Sequence, residues 1–280
     1  MTEPQDFAGR VALITGGTQG LGYAVADLLR QRGARGLVLV GRDRSKGEAA
    51  AESLTDDGCR AVFAAADLYT AAGCEAAVAA VDAEFGTCHA LVNCAAKTDR
   101  ATVWDATAEV WDATLALNTR APALLAQGVA RIMVREAVDG TIVFIGSVSL
   151  HGGSETLLPY VTSKMALVAL TRNLAYSLMR HRIRVNLLNP GWMDTPAEDL
   201  IQRKWEGATD GWLERAEAEQ PWGKLIKPTE IARTIVHLAT PDSGMLSGAT
   251  IDWDQTVLGT GSGVRPGPEL AEIPEGLGPS

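Results

Sequence analysis

No apolar run in the 280-residue chain approaches the roughly 20 residues that a bilayer span requires. The first residues, Met1 to Gly9, carry acids and a proline where a secretory signal would have a basic stretch followed by an apolar one. Cysteine is scarce. Cys59, Cys74, Cys88 and Cys94 form no CxxC pair, which excludes the usual zinc and dithiol patterns and leaves reduced thiols in a cytoplasm as the expectation. Positive charge is in deficit: the formal net charge is -9 and no basic cluster is dense enough to follow a phosphate backbone, so no nucleic-acid partner is expected. The four histidines (His89, His151, His181 and His237) are scattered without an HExxH pair, and no metal is expected.

What the chain does have is apolar residues in short runs. With 46% of its residues hydrophobic, it is long enough to bury one large α/β core or two small ones. Candidate strands are Val11 to Ile14, Leu37 to Val40, Ala61 to Phe63, Ala90 to Val92, Thr141 to Ile145, Arg184 to Leu188 and Ala249 to Ile251. Most are continuous Val/Ile/Leu runs, the pattern of strands buried on both faces. Ala-rich helical stretches, such as Gly47 to Leu54 and Ala71 to Phe85, alternate with them. That alternation predicts α/β architecture: one doubly wound domain with a mostly parallel seven-stranded sheet and helices on both faces. With no linker before the end, residues 1–258 are expected to form this domain. Residues 259–280, rich in Gly and Pro, form a tail that is either mobile or an arm on a neighbouring subunit. Residues 196–222 break the rhythm, being polar and helical in character with three tryptophans.

The first candidate strand runs directly into Thr15-Gly16-Gly17-Thr18-Gln19-Gly20-Leu21-Gly22 and then an apolar helix pattern. A glycine turn between strand and helix lets backbone approach a pyrophosphate and aims the helix N-terminus at it. The spacing is TGxxxGxG, not GxGxxG, and glycine-rich turns after strands are common in their own right. Further on, Ile145 ends a candidate strand and Gly146-Ser147-Val148-Ser149 follows, then Tyr160-Val161-Thr162-Ser163-Lys164 at the head of a helical run. Four residues apart, Tyr160 and Lys164 share a helix face. An ammonium ~4–5 Å from the phenolic oxygen, at an effective dielectric of ~20, favours the phenolate by roughly 3–4 kcal/mol. That is on the order of two units from a tyrosine's usual pKa of about 10, towards general acid/base work. Ser147, at a strand's carboxyl end, is placed to hydrogen-bond a substrate oxygen. YxxxK alone is commonly an ordinary surface pair; here its weight comes from the order of glycine turn, strand-end serine and helix-opening Tyr and Lys.

With these motifs the chain resembles the short-chain dehydrogenase/reductase family from Val11 to about Trp253. Thr15 to Gly22 matches its glycine motif. Asp67-Leu68 looks like the pair that meets the adenine ring, and Asn93-Cys94-Ala95-Ala96 stands where Asn-Asn-Ala-Gly is usual. Asn118 matches the asparagine that holds a water in the proton relay; Ser147, Tyr160 and Lys164 match the catalytic serine, tyrosine and lysine. Pro190-Gly191 and Thr195 match the segment passing under the nicotinamide. The resemblance implies a Rossmann-type fold and hydride transfer between a nicotinamide and a carbonyl or secondary alcohol. Catalytic residues are then Asn118, Ser147, Tyr160 and Lys164. Cofactor contacts are expected at Gly16, Thr18, Gln19, Gly20, Leu21, Gly22, Arg42, Asp67, Leu68, Asn93 and Ala95, and at Tyr160, Lys164, Pro190, Gly191 and Thr195. The chain departs from the pattern at Cys94 and Ala96, and at Ile251-Asp252-Trp253-Asp254, where Val-Asp-Gly-Gly is usual. Trp253 there either lines the pocket or a subunit contact, or is a buried structural residue.

Leu39-Val40-Gly41-Arg42-Asp43 bears on the choice of nicotinamide. Arg42 suits a 2′-phosphate and favours NADP; Asp43, turned towards the ribose, would favour NAD. Residues 196–222 are expected to act as a substrate lid. Ser149, His151 and Trp192 are the pocket candidates, with Glu155 near them, and such an edge suits a sugar or polyol. A 3-oxoacyl thioester reductase using a patch of Arg131, Arg135, Arg172, Arg180 and Arg182 is the rival within enzymes. A non-catalytic dinucleotide sensor is the rival of another class. The resemblance further implies a homotetramer or homodimer.

Overall fold

The structure, a computed structural model, describes residues 4–257, so the expected tail at 259–280 lies outside the described residues. Seven strands form one sheet: β1 (Val11–Thr15), β2 (Gly36–Gly41), β3 (Arg60–Ala65), β4 (Ala90–Asn93), β5 (Thr141–Ile145), β6 (Arg184–Pro190) and β7 (Thr250–Trp253). Their spatial order is β3-β2-β1-β4-β5-β6-β7, and every pair is parallel. β1, β2, β4 and β5 are inner strands with almost no residue reaching solvent, which is why they read as unbroken apolar runs and not as alternations.

Alternate side chains feed two cores. Ala12 and Ile14 of β1 pack with α1 (Gly20–Gln31), α2 (Arg44–Ser53) and, later in the chain, α9 (Pro228–Ala239). Val11 and Leu13 face α3 (Ala71–Phe85), α5 (Ala121–Arg135) and α6 (Leu158–Leu178). Between α3 and α5 lies α4 (Ala108–Leu115), which runs through one π turn at Ala116–Arg120 into α5. α7 (Pro196–Trp205) and α8 (Trp212–Ala218) occupy the irregular stretch noted in the sequence.

The strand order reverses between β1 and β4, so the connections after those two strands leave in opposite directions. In a parallel sheet this opens a crevice at the strands' carboxyl ends. Trp253 lies at the far edge of the sheet, packed against the α9 core, and its Nε1 donates to Thr234 Oγ1 at 3.1 Å. It is a structural residue and does not line the crevice.

Candidate active site

The crevice is a cavity of about 600 Å³ whose wall begins at the β1–α1 turn. Gly16 has φ +64, and a Cβ on it would meet the Ala95 backbone nitrogen at 3.1 Å. Gly22 is tighter: its Cβ would fall 2.3 Å from the Gly16 carbonyl oxygen. Only glycine lets the helix start this close to the turn. Gln19, the N-cap of α1, makes no side-chain cap bond, and no acid stands in the helix's first turn. The N–H groups there are left for an anion, as a pyrophosphate site requires. Thr15 Oγ1 accepts from Ala95 N at 3.1 Å and donates to Asn93 Oδ1 at 3.4 Å, tying the end of β4 to the turn. Asn93 is buried, with its Nδ2 unpartnered, and is not part of the cavity wall; it shapes the floor through Thr15.

At the next strand end Arg42 lies over the Tyr69 ring, 5.5 Å from its centroid, and both line the cavity. Asp43 is turned away. Its carboxylate caps α2, accepting from Lys46 N at 3.1 Å and Ser45 Oγ at 2.9 Å, and these bonds hold it below the usual carboxylate range. Leu68 lines the cavity, whereas Asp67 is exposed and closes a turn by accepting from Tyr69 N at 3.1 Å.

Opposite the glycine turn stand Ser147, Ser149, Tyr160 and Lys164. The first two turns of α6 carry Tyr160 and Lys164 on one face, and Lys164 Nζ sits 5.6 Å from the Tyr160 ring centroid while donating to Ile145 O at 2.7 Å. Burial pushes the Tyr160 phenol up to about 12, with the Glu198 charge adding to it; Ser147 and Arg100 pull the other way. Burial also pushes the Lys164 ammonium down to about 8. The shift at Tyr160 thus runs opposite to the one expected from its spacing to Lys164. Desolvation of the phenol is the dominant cause. Cys94 also lines this wall, its thiol pushed up to about 12 by burial.

Asn118 lies in the π turn, fully buried behind that wall. Its Nδ2 donates to Lys97 O at 2.9 Å and Ser163 Oγ at 3.0 Å, and its Oδ1 accepts from Lys97 N at 2.8 Å. Both amide hydrogens are used, so its side chain braces the loop after β4 against α6. His151 does not enter the cavity wall. It is exposed and pairs with Asp252 Oδ2 at 3.1 Å, while Asn189 Nδ2 donates to the same carboxylate at 2.8 Å. Glu155 is exposed and also outside the wall. Trp192, Pro190, Gly191 and Thr195 do line it.

The family model described as enoyl-(acyl carrier protein) reductase matches residues 16–255. The short-chain reductase protein NovJ of Streptomyces niveus is 31% identical over 261 residues, covering 91% of this chain and 98% of that protein. Galactitol 2-dehydrogenase of Agrobacterium fabrum is 30% identical, covering 88% and 96%. The structure of L-sorbose reductase from Gluconobacter frateurii, complexed with NADPH and L-sorbose, superposes with a TM-score of 0.84 at 29% identity, covering 92% of this chain and 100% of that one. The chain belongs to the short-chain dehydrogenase/reductase family. It is thus an oxidoreductase acting between alcohol and carbonyl groups.

Within this short-chain dehydrogenase/reductase, five polar cavity residues were not singled out from the sequence: Tyr69, Thr98, Arg100, Glu198 and Gln202. They stand in the loops after β3 and β4 and on α7, where no spacing rule marks them. Thr195 was the nearest signal. It caps α7 through Glu198 N at 3.1 Å, and so points to the helix whose first turns face the cavity.

Proposed function

We propose that this chain is an NADPH-dependent reductase of ketoses and related carbonyl compounds, working also as the corresponding polyol dehydrogenase, with Ser147, Tyr160 and Lys164 as its reacting group. The observation that carries this reading is a single cavity that joins Arg42 on Tyr69, the bare α1 N-terminus and the Ser147–Tyr160 wall. Arg42 and the uncapped helix start offer donors for two phosphate positions. With Asp43 committed to α2, the argument for NAD loses its acidic residue, so NADP is the cofactor proposed and NAD the alternative.

The bound nicotinamide supplies the hydride. Ser147 donates a hydrogen bond to the substrate oxygen. Tyr160, protonated well above neutral pH, gives that oxygen a proton in reduction and takes one in oxidation. Lys164 lies beside the phenol, where its charge favours the phenolate left behind, and Asn118 keeps the β4 loop and α6 in register. Trp192, with Ser149, closes the substrate end.

The printed activities of galactitol 2-dehydrogenase and L-sorbose reductase support a polyhydroxylated substrate. A carrier-bound 3-oxoacyl substrate has less support, since Arg135 is already paired with Asp82 and Glu136, and Arg182 with Asp139. We also infer a homodimer or homotetramer working in the cytoplasm. Four free cysteines suit a reducing compartment, and no helix among the described residues is long and apolar enough to cross a membrane.

The test follows nicotinamide absorbance over sugars, polyols, steroids and oxoacyl esters with wild type and Tyr160→Phe. Turnover in the variant is expected to fall by roughly 10²–10⁴ with NADPH affinity nearly unchanged. Near-wild-type turnover in the variant overturns the mechanism.

A further inference from the structure

We propose that Glu198 makes this cavity select neutral, polyhydroxylated substrates over anionic ones, donating hydroxyls being held on its free carboxylate oxygen. This rests on the reading above that the cavity reduces carbonyl compounds. Glu198 opens α7, is half-buried and lines the cavity together with Tyr160. Its Oε1 accepts from Trp192 Nε1 and from Gln202 Nε2, each at 2.8 Å. Trp192 is itself held, stacked on Trp212 at 6.2 Å between centroids, and Trp212 Nε1 donates to Asp199 Oδ1 at 2.7 Å. The carboxylate is thus fixed in orientation, while Oε2 has no hydrogen-bond partner among the described residues. An acid in a helix's first turn ordinarily serves the helix dipole from solvent. This one instead has two side-chain donors and a charge that reaches the Tyr160 phenol.

A carboxylate only accepts, so its partner in a substrate must donate. The nearby cations of the cavity wall are not paired with it: Arg100 is bound to Glu206 at 2.8 Å, and Lys164 donates to Ile145 O. The substrate end of the cavity therefore rewards hydroxyl groups and repels a substrate carboxylate or phosphate.

The experiment compares a neutral ketose with the keto acid of the same carbon skeleton. The wild-type enzyme should prefer the ketose in kcat/KM by at least about tenfold, and in Glu198→Gln that preference should shrink by roughly 10- to 100-fold, the range for one hydrogen bond to a charged group. Most of the change should lie in KM for the ketose, and NADPH affinity, measured by fluorescence titration, should stay within about twofold. An unchanged preference in a variant that still binds NADPH overturns the proposal. So does a wild-type enzyme that turns over the keto acid as well as the ketose, a result that needs no variant to fold. If no ketose or polyol is turned over while other carbonyl compounds are, the sugar reading fails instead.

Discussion

Arg42 and Asp43 are adjacent and pull in opposite directions on cofactor choice, and what separates them is a helix start. Asp43 finds two donors within its own turn, Lys46 N and Ser45 Oγ, and spends its charge there. Arg42 has no such local partner and rests on Tyr69, which arrives from the loop after β3. Removing the guanidinium by Arg42→Ala should weaken NADPH binding by roughly 1.5–3 kcal/mol while NADH binding barely moves. Isothermal titration with both cofactors checks this. Equal losses, or none, would detach Arg42 from the 2′-phosphate. The glycine turn, Tyr160 and Lys164 were legible one residue at a time, because each is a short local pattern with a stated job. Glu198 and Arg100 were not, because their meaning comes from chain segments a hundred residues apart meeting at one cavity, as the Arg100–Glu206 pair illustrates.

At the scale of elements, the tryptophans of residues 196–222 divide between core and surface. Trp212 is only 8% exposed and forms a small core with Ala216 and Leu225, against which Trp192 packs. Trp222, at 77% exposed, and Trp205, at 42%, stay in solvent. The sequence pattern could count aromatics but could not say which would find an apolar partner. On α5, Ala121 and Ala126 pack inward on the sheet. The outward face of α6 presents Met165, Ala169, Arg172 and Tyr176 at helical spacing, with Met179 just past its end and Tyr176 81% exposed. Such a stripe is the mark of a face covered by another surface. We therefore expect light scattering at micromolar concentration to give the mass of two or four chains, and Tyr176→Glu with Met179→Glu to lower it. A monomeric wild type would refute the assembly.

For the whole molecule, one buried charge sets a pH dependence. Lys164 is held near 8 in the folded chain against 10.5 for an ordinary lysine, so between those values the unfolded chain binds more protons and stability rises with pH. Below about pH 8 the cost of keeping the ammonium buried amounts to about 3 kcal/mol, offset in part by its bond to Ile145 O. Lys164→Met should remove that cost. Urea denaturation of both proteins is expected to show the variant gaining most at about pH 7, with the gain shrinking by up to about 3 kcal/mol by about pH 10.5. A difference that does not change with pH would mean that Lys164 is not buried as described.

The sequence by itself determined the strands, their burial on both faces, the doubly wound class and the order of glycine turn, serine, tyrosine and lysine. These are written in local periodicity and in residue types with one conformational use, and a parallel sheet leaves few ways to assemble them. Only the tertiary structure decided which polar residues share the cavity and what state they are in there. Asp43, Asn118 and His151 find partners outside it, Glu198 and Arg100 enter it, and burial pushes the Tyr160 phenol up. Hydrogen-bond partners and desolvation are set by groups distant along the chain, and no spacing rule carries that information.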